Sequence, residues 1–242
     1  MPRLDGKTAV VTGVTSGIGQ ALTTRLLHEG ANVAGIARNA EELYRQAATH
    51  GPLFTPVLAD LADPQARAHA IDGLTTWVTT VDILVNNAAQ CTYTNPLDLD
   101  LDGWRALLEV NLIACLDLTR RLAPLMDRGH IINISSVTAR GQADAHYGPY
   151  ATTKAALEAA STAIRAELAA RGIKVCVLVP GLVDTPIYDK IQGFAGMRQR
   201  LQRRIPKWLE AADVADAVCW IVTQPDHVTV SELVLLPVGQ LT

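Results

Sequence analysis

Short apolar runs and stretches of helical spacing alternate along almost the whole chain. Runs at 8–12, 32–37, 53–59, 82–85, 131–135, 175–179 and 228–236 read as strands, mostly apolar throughout, as strands buried on both faces are. Pro52 and Pro56 weaken the third of these. Ile18, Ala21, Leu22 and Leu26 recur at helical spacing, and Gly30 stops that helix. Asn39 is placed to cap a helix running to about residue 49. Asp63 and Pro64 form a cap and first-turn pair for another, running to about 78. A long helix is predicted from Asp102 through Leu107, Leu112 and Leu116 to about 126. Further helices are predicted over 147–171, ended by Gly172, and over 212–222. The segment 186–208 is mixed. Strand and helix alternating end to end predict an α/β fold, a doubly wound parallel sheet of about seven strands with helices on both faces. With no linker, repeat or low-complexity tract, a single domain over 1–242 is expected.

Composition narrows the function. The chain has 242 residues, 49% apolar and 19% charged, which fits a globular domain with a large core. A net charge of −3 argues against a nucleic-acid surface. The N-terminus shows no apolar signal segment and no run approaches a membrane span in length. Cys91, Cys115, Cys176 and Cys219 make no C-x-x-C pair, and neither they nor the histidines show metal spacing. A cytoplasmic protein without a metal site is expected. Cys91 lies near the candidate site but reads as a small half-buried side chain.

Five motifs carry candidate chemistry. Tyr150 and Lys154, four apart on one helix face, suit an acid–base pair in which the ammonium lowers the phenol pKa. Tyr147 is followed four residues on by Ala151, so Tyr150 is preferred on spacing. Gly13, Val14, Thr15, Ser16, Gly17, Ile18 and Gly19 join a strand to a helix, as a phosphate-binding turn requires. Asn87 and Ala88 follow the fourth strand. Ser136 ends the fifth, where its hydroxyl can donate to a carbonyl oxygen. Pro180, Gly181, Val183 and Thr185 follow the sixth. At the end of the second strand, a protein choosing NAD commonly places an acid, whereas here stands Ala37 followed by Arg38. Arg38 suits a 2′-phosphate and Asn39 adds an amide donor; the alternative is a surface pair of Arg38 with Glu41 or Glu42.

The set in this order resembles the short-chain dehydrogenase/reductase family over about residues 7–238. The resemblance implies a Rossmann-like sheet, an NADP(H) cofactor and a small-molecule carbonyl or alcohol substrate. It implies that Asp60, followed by Leu61, accepts from adenine, though Asp60 also reads as a strand-end cap. Asn87 and Ala88 would lie along adenosine. The Val183 backbone and Thr185 hydroxyl would bind the carboxamide, Thr185 alternatively capping the next helix. Lys154 would hold the ribose. Asn111 would anchor a relay water beside it, or alternatively bend its own helix. Ser136, Tyr150 and Lys154 would do the chemistry.

Two departures stand out: Ala89 replaces the usual glycine, and the Ser136–Tyr150 spacing is one residue longer than in many relatives, so the loop 138–148 is expected to be reshaped. Relatives place a substrate lid at 186–208. Here Tyr188, Ile191, Phe194 and Met197 offer an apolar wall. Arg198, Arg200, Arg203, Arg204 and Lys207 form either a solvated face or an attractant for an acidic substrate. The C-terminal stretch looks like the branch with serine and 3-hydroxy acid dehydrogenases and antibiotic-pathway aldehyde reductases. Relatives also form homotetramers, and the small residues Ala155, Ala159 and Ala163 fit close helix contact. An inactive cofactor-binding sensor or scaffold is the alternative function.

Overall fold

The computed structural model describes residues 3–141, 144–191 and 194–240. Seven parallel strands form one sheet: β1 Thr8–Thr12, β2 Asn32–Ala37, β3 Phe54–Leu58, β4 Ile83–Asn86, β5 His130–Ile134, β6 Lys174–Pro180 and β7 Glu232–Leu235, in the order β3-β2-β1-β4-β5-β6-β7. The helices are α1 Gly17–His28, α2 Ala40–His50, α3 Pro64–Thr75, α4 Leu101–Leu108, α5 Ala114–Leu122, α6 Gly148–Leu168, α7 Phe194–Arg204 and α8 Ala211–Val222. No helix of the described residues is long and apolar enough to cross a membrane.

Period-two alternation splits the strands between two cores. Ala9, Val11, Val33, Ile83, Val85, Ile132 and Ile134 pack with Leu22 and Leu26 of α1 and Val214 and Val218 of α8. Val10, Ala34, Ile36, Leu84, Ile131 and Val175 pack on the other face with Ile71 of α3 and Leu118 and Leu122 of α5. Both faces are covered, so the strands are apolar throughout. The strand order reverses between β1 and β4, and a crevice opens there at the strands' carboxyl ends.

Most differences from the predicted elements trace to hydrogen bonds that compete with a ladder or a helix. β3 tolerates Pro56 because it is an edge strand. α3 stops at Thr75, not near 78: the hydroxyls of Thr75 and Thr76 accept no helix role and instead donate to Asp72 O and Gly73 O. β7, Glu232–Leu235, covers only the later part of the predicted run. Arg165 donates to Val175 O and Ser231 O, and pairing with β6 begins at Val177 opposite Glu232. The predicted long helix is three pieces: α4, a π-helical turn Glu109–Ile113, and α5, with Pro124 in the tight turn that ends it. Asp100, not Asp102, caps α4 by accepting from Gly103 N. The caps at Asn39 and Asp63 form as predicted.

Arg67, only 3% exposed, joins three of these parts. It donates to Leu61 O at 2.6 Å, Glu109 at 2.8 Å and Asp117 at 3.0 Å. The π turn is thereby tied to the loop after β3. Burial opposes ionisation of Asp117, but bonds from Arg67, Arg120 and Arg121 outweigh it and hold its pKa below the ordinary value. Arg67→Met would leave two half-buried carboxylates without this partner, and is expected to lower unfolding free energy by about 3 kcal/mol. Urea denaturation checks this; a change below about 1 kcal/mol, typical of a surface pair, would contradict it.

Candidate functional site

One cleft lies over the carboxyl ends of β1 to β6. It is lined by the turn after β1, by Arg38, Asp60 and Leu61, by Asn87 to Gln90, by Ser136, Tyr150 and Lys154, and by Pro180, Gly181, Val183 and Thr185 to Tyr188. Four predicted site residues do not line it. Val14 is fully buried in the core. Gly19 lies under the turn, Asn39 caps α2, and Asn111 is buried beneath the cleft floor.

Close packing shapes the glycine turn. Gly13 has φ of +73°, a conformation costly for any residue with a Cβ. A Cβ on Gly19 would stand 2.1 Å from Gly13 O, so only glycine lets α1 approach. The Thr12 hydroxyl accepts from Asn87 N and Ala88 N, both at 2.9 Å, and Asn87 Nδ2 donates to Thr12 O at 2.8 Å. These bonds pin the ends of β1 and β4 on either side of the switch point. Ser16 is the N-cap of α1 but its hydroxyl makes no cap bond. The first N–H groups of α1 are thus left for an anion in the cleft. The fit to a dinucleotide pyrophosphate is good. Ala89 is not strained: among the described residues Arg128 is the one non-glycine with positive φ.

At the far end of the cleft, Ala37 is buried and Arg38 is more than half exposed. Arg38 does not pair with Glu41 or Glu42. Glu42 bonds Arg45 at 2.6 Å, and Arg38 Nη1 stands 3.8 Å from Asp60 Oδ2. Asp60 Oδ1 accepts from Ala62 N, so the strand-end cap is present, with its other oxygen toward Arg38. Asn39 caps α2 with Oδ1 and not with its amide nitrogen.

The other end gathers the polar side chains. Successive residues at the end of β5 diverge. Ser135 turns away and donates to Glu158 at 2.5 Å, while the Ser136 hydroxyl lies near the Tyr150 phenol and favours its ionised form. The Ser136 oxygen accepts from Thr138 Oγ1 at 3.0 Å and Thr138 N at 3.3 Å, which leaves its own hydrogen to be donated. Lys154 is 2% exposed and donates to Ile134 O at 2.8 Å, its Nζ 5.8 Å from the Tyr150 ring centroid. Burial pushes the Tyr150 phenol well above its ordinary pKa; the neighbouring Cys91 and Tyr188 push the same way, and the Ser136 hydroxyl only partly opposes them. Burial also lowers the pKa of Lys154. The expected lowering of the phenol pKa by the ammonium is therefore reversed in net direction, because desolvation dominates. Tyr147 makes a different contact, with its hydroxyl 3.6 Å from Met197 Sδ.

Asn111 sits within the π turn and spends its side chain on bracing. Nδ2 donates to Gln90 O and Thr153 Oγ1, and Oδ1 accepts from Gln90 N, all within 2.9 Å. Its side-chain bonds go to Gln90 and Thr153, not to its own helix. Thr153 in turn donates to Tyr150 O.

The segment after β6 covers the Tyr150 end. Thr185 opens a short 3-10 helix, Pro186–Lys190, without capping it. The Tyr188 phenol takes a hydrogen bond from the Val183 backbone. Ile191, Met197, Ile205 and Trp208 form a small apolar cluster with Tyr188, Tyr147 and Cys91. The Phe194 side chain lies outside the described part of the structure. Arg198 pairs with Asp184 at 2.5 Å, and Lys207 with Glu210 at 3.4 Å. Arg200, Arg203 and Arg204 are exposed, and none of the five basic residues lines the cleft. His146 on the loop before α6 bonds Asp144 at 2.8 Å and stacks on Tyr93. Among the described residues no group of three or more His, Cys, Asp or Glu is placed to hold a metal ion.

Sequence reasoning missed Thr138, Thr153, Gln90 and Arg67. Thr138 alone had a signal: a hydroxyl two residues after a strand-end serine is a common local turn. The others act through tertiary contacts that no spacing encodes.

Comparison with known proteins agrees with this geometry. The model of a family described as short chain dehydrogenase matches residues 7–194. A protein of Rhizobium radiobacter named serine 3-dehydrogenase is 34% identical, covering 96% of this chain and 94% of its own. The solved closed form of a serine dehydrogenase complexed with NADP+ superposes with a TM-score of 0.88 at 29% identity, covering 97% of this chain and 96% of that one. A short chain dehydrogenase from Burkholderia cenocepacia in complex with NADP superposes with a TM-score of 0.86 at 33% identity, covering 96% and 97%.

Proposed function

The chain belongs to the short chain dehydrogenase family, and on that basis we propose that it is an NADP(H)-dependent oxidoreductase moving hydride between nicotinamide and a small-molecule carbonyl. The observation that carries this reading is the buried Tyr150 phenol, beside Ser136 and one helical turn from the Lys154 ammonium in one cleft. The bound nicotinamide supplies hydride to the carbonyl carbon. Tyr150 then gives its proton to the carbonyl oxygen, and Ser136 donates a second hydrogen bond as charge builds there. Lys154 has one N–H on Ile134 O, and its others serve the ribose hydroxyls. Thr138 orients the Ser136 hydrogen. Asn111 is a positioning residue that locks Gln90 against α6. Val183 and Thr185 serve the carboxamide, and Tyr188 must release the Val183 N–H for that. Residues 186–208 act as the lid of a single domain.

A phenol with raised pKa stays protonated through neutral pH, which favours reduction. The reductive rate is expected to be flat across neutral pH, while oxidation, which needs phenolate, rises as pH rises. Tyr150→Phe should keep cofactor binding and lose about 10²–10⁴-fold in rate. Full activity would move the acid elsewhere, with Tyr147 first in line.

Arg38 selects the cofactor. With no acid at Ala37 to repel a 2′-phosphate, the guanidinium is placed for a charge-assisted bond. Wild-type kcat/KM should favour NADPH by roughly ten- to a hundredfold, and Arg38→Ala should erase most of that through KM. Unchanged selectivity in the variant would refute the role.

The protein is read as a cytoplasmic homotetramer. Ala155, Ala159, Ala163 and Ala166 form an exposed small-residue stripe on α6, and Ile113 is exposed at the junction of α4 and α5. Light scattering at micromolar concentration should give a tetramer, and a monomer would end this part of the reading.

A further inference from the structure

The wall facing Tyr150 says something about what the cleft accepts. We propose that its substrate is a neutral carbonyl compound with an aryl or similarly flat apolar substituent, and not a hydroxy acid, oxo acid or amino acid. The proposal rests on the hydride-transfer reading.

Ser136, Cys91, Tyr147 and Tyr188, all uncharged, stand near the Tyr150 phenol, and the Lys154 ammonium lies 5.8 Å from its ring centroid. Burial pushes the Cys91 thiol up to about 12, so it remains neutral. Behind them stand Met197 and Trp208. The rings are arranged edge to face: Tyr93 meets Tyr147 at 5.0 Å between centroids, and Tyr188 meets Trp208 at 5.6 Å. Of these rings Tyr188 lines the cleft, with the others behind it, and a flat substituent against Tyr188 would extend that packing.

Among the described residues, a carboxylate would find no cation at this end that is not already engaged. Among the described residues the cations lining the cleft are Arg38, at the adenosine end, and Lys154, bonded to Ile134 O. Among the described side chains of the lid segment, Arg198 packs against this apolar cluster. Its guanidinium is held by Asp184 at 2.5 Å and lies 5.3 Å over the Trp208 ring. Asp184 already offsets that charge. The other charged group at the mouth, Asp144, is held ionised with a pKa of about 2 by His146 and Tyr93, and repels an anion. Burying a carboxylate without a partner is costly enough to decide selectivity. The exposed arginines of α7 do not line the cleft, although Arg200 stands near enough to Tyr93 to oppose the rise of its phenol pKa.

The test compares two probes of one shape. Methyl 4-formylbenzoate and 4-formylbenzoate differ chiefly in charge; each is assayed with NADPH, beside propanal with NADPH and L-serine with NADP+. The neutral ester should exceed the acid in kcat/KM by about a hundredfold, and exceed propanal by at least about tenfold. Arg198→Ala should leave the ester-to-acid ratio unchanged. Equal or better use of the acid, efficient oxidation of L-serine, or a selective loss of acid turnover in Arg198→Ala would overturn the proposal and leave hydride transfer standing. If no probe turns over, hydride transfer to small carbonyls fails and this proposal fails with it.

Discussion

A lysine ammonium buried to 2% exposure constrains much of the site. Taking such a charge out of water costs several kcal/mol, and the surroundings must offset that cost. The Ile134 carbonyl at the end of β5 accepts from it, which fixes α6 against that strand end. Tyr150 lies one turn away, its ring toward the ammonium. Thr153, next to Lys154, receives a bond from Asn111, and Asn111 holds Gln90 by two more. Three separate parts of the chain are therefore braced around one buried charge. The π turn has its reason here: it brings Asn111 inward from a helix that would otherwise run straight past.

The cofactor half follows a different logic. There, the constraint is distance and not charge. Gly13 and Gly19 let backbone approach backbone, and the Thr12 hydroxyl sews β1 to the residues after β4. Ser16 leaves the start of α1 uncapped by its side chain. One end of the cleft is thus built from N–H groups and a guanidinium that suit phosphates, and the other from rings and hydroxyls that suit a neutral carbonyl.

Much of this was readable from residues alone, for a physical reason in each case. The strands of a sheet covered on both faces are apolar throughout, so six of the seven lie within a residue or so of their predicted ends, and Asn39 and Asp63 cap where their short polar side chains predict. The π turn was invisible because apolar spacing continues through Val110, Leu112 and Leu116 as if the helix were regular. The start of β7 was misread because Arg165, distant in sequence, takes Val175 O, while Ser231 O accepts from both Arg165 and Val177 N. The phenol pKa was expected in the wrong direction because spacing reports the neighbour and not the burial. Arg38 shows the same limit: Glu41 and Glu42 are near in sequence, yet Asp60 from the next strand's end is the residue it faces.

The central claim is that this cleft moves hydride from nicotinamide to a carbonyl carbon. Incubating the protein with 4-deuterated NADPH and a carbonyl probe, then locating the label by NMR, tests it directly. The account predicts one deuterium on the carbinol carbon of the product, on a single face, with none lost to solvent. Product without label, or label that washes out into water, would contradict it.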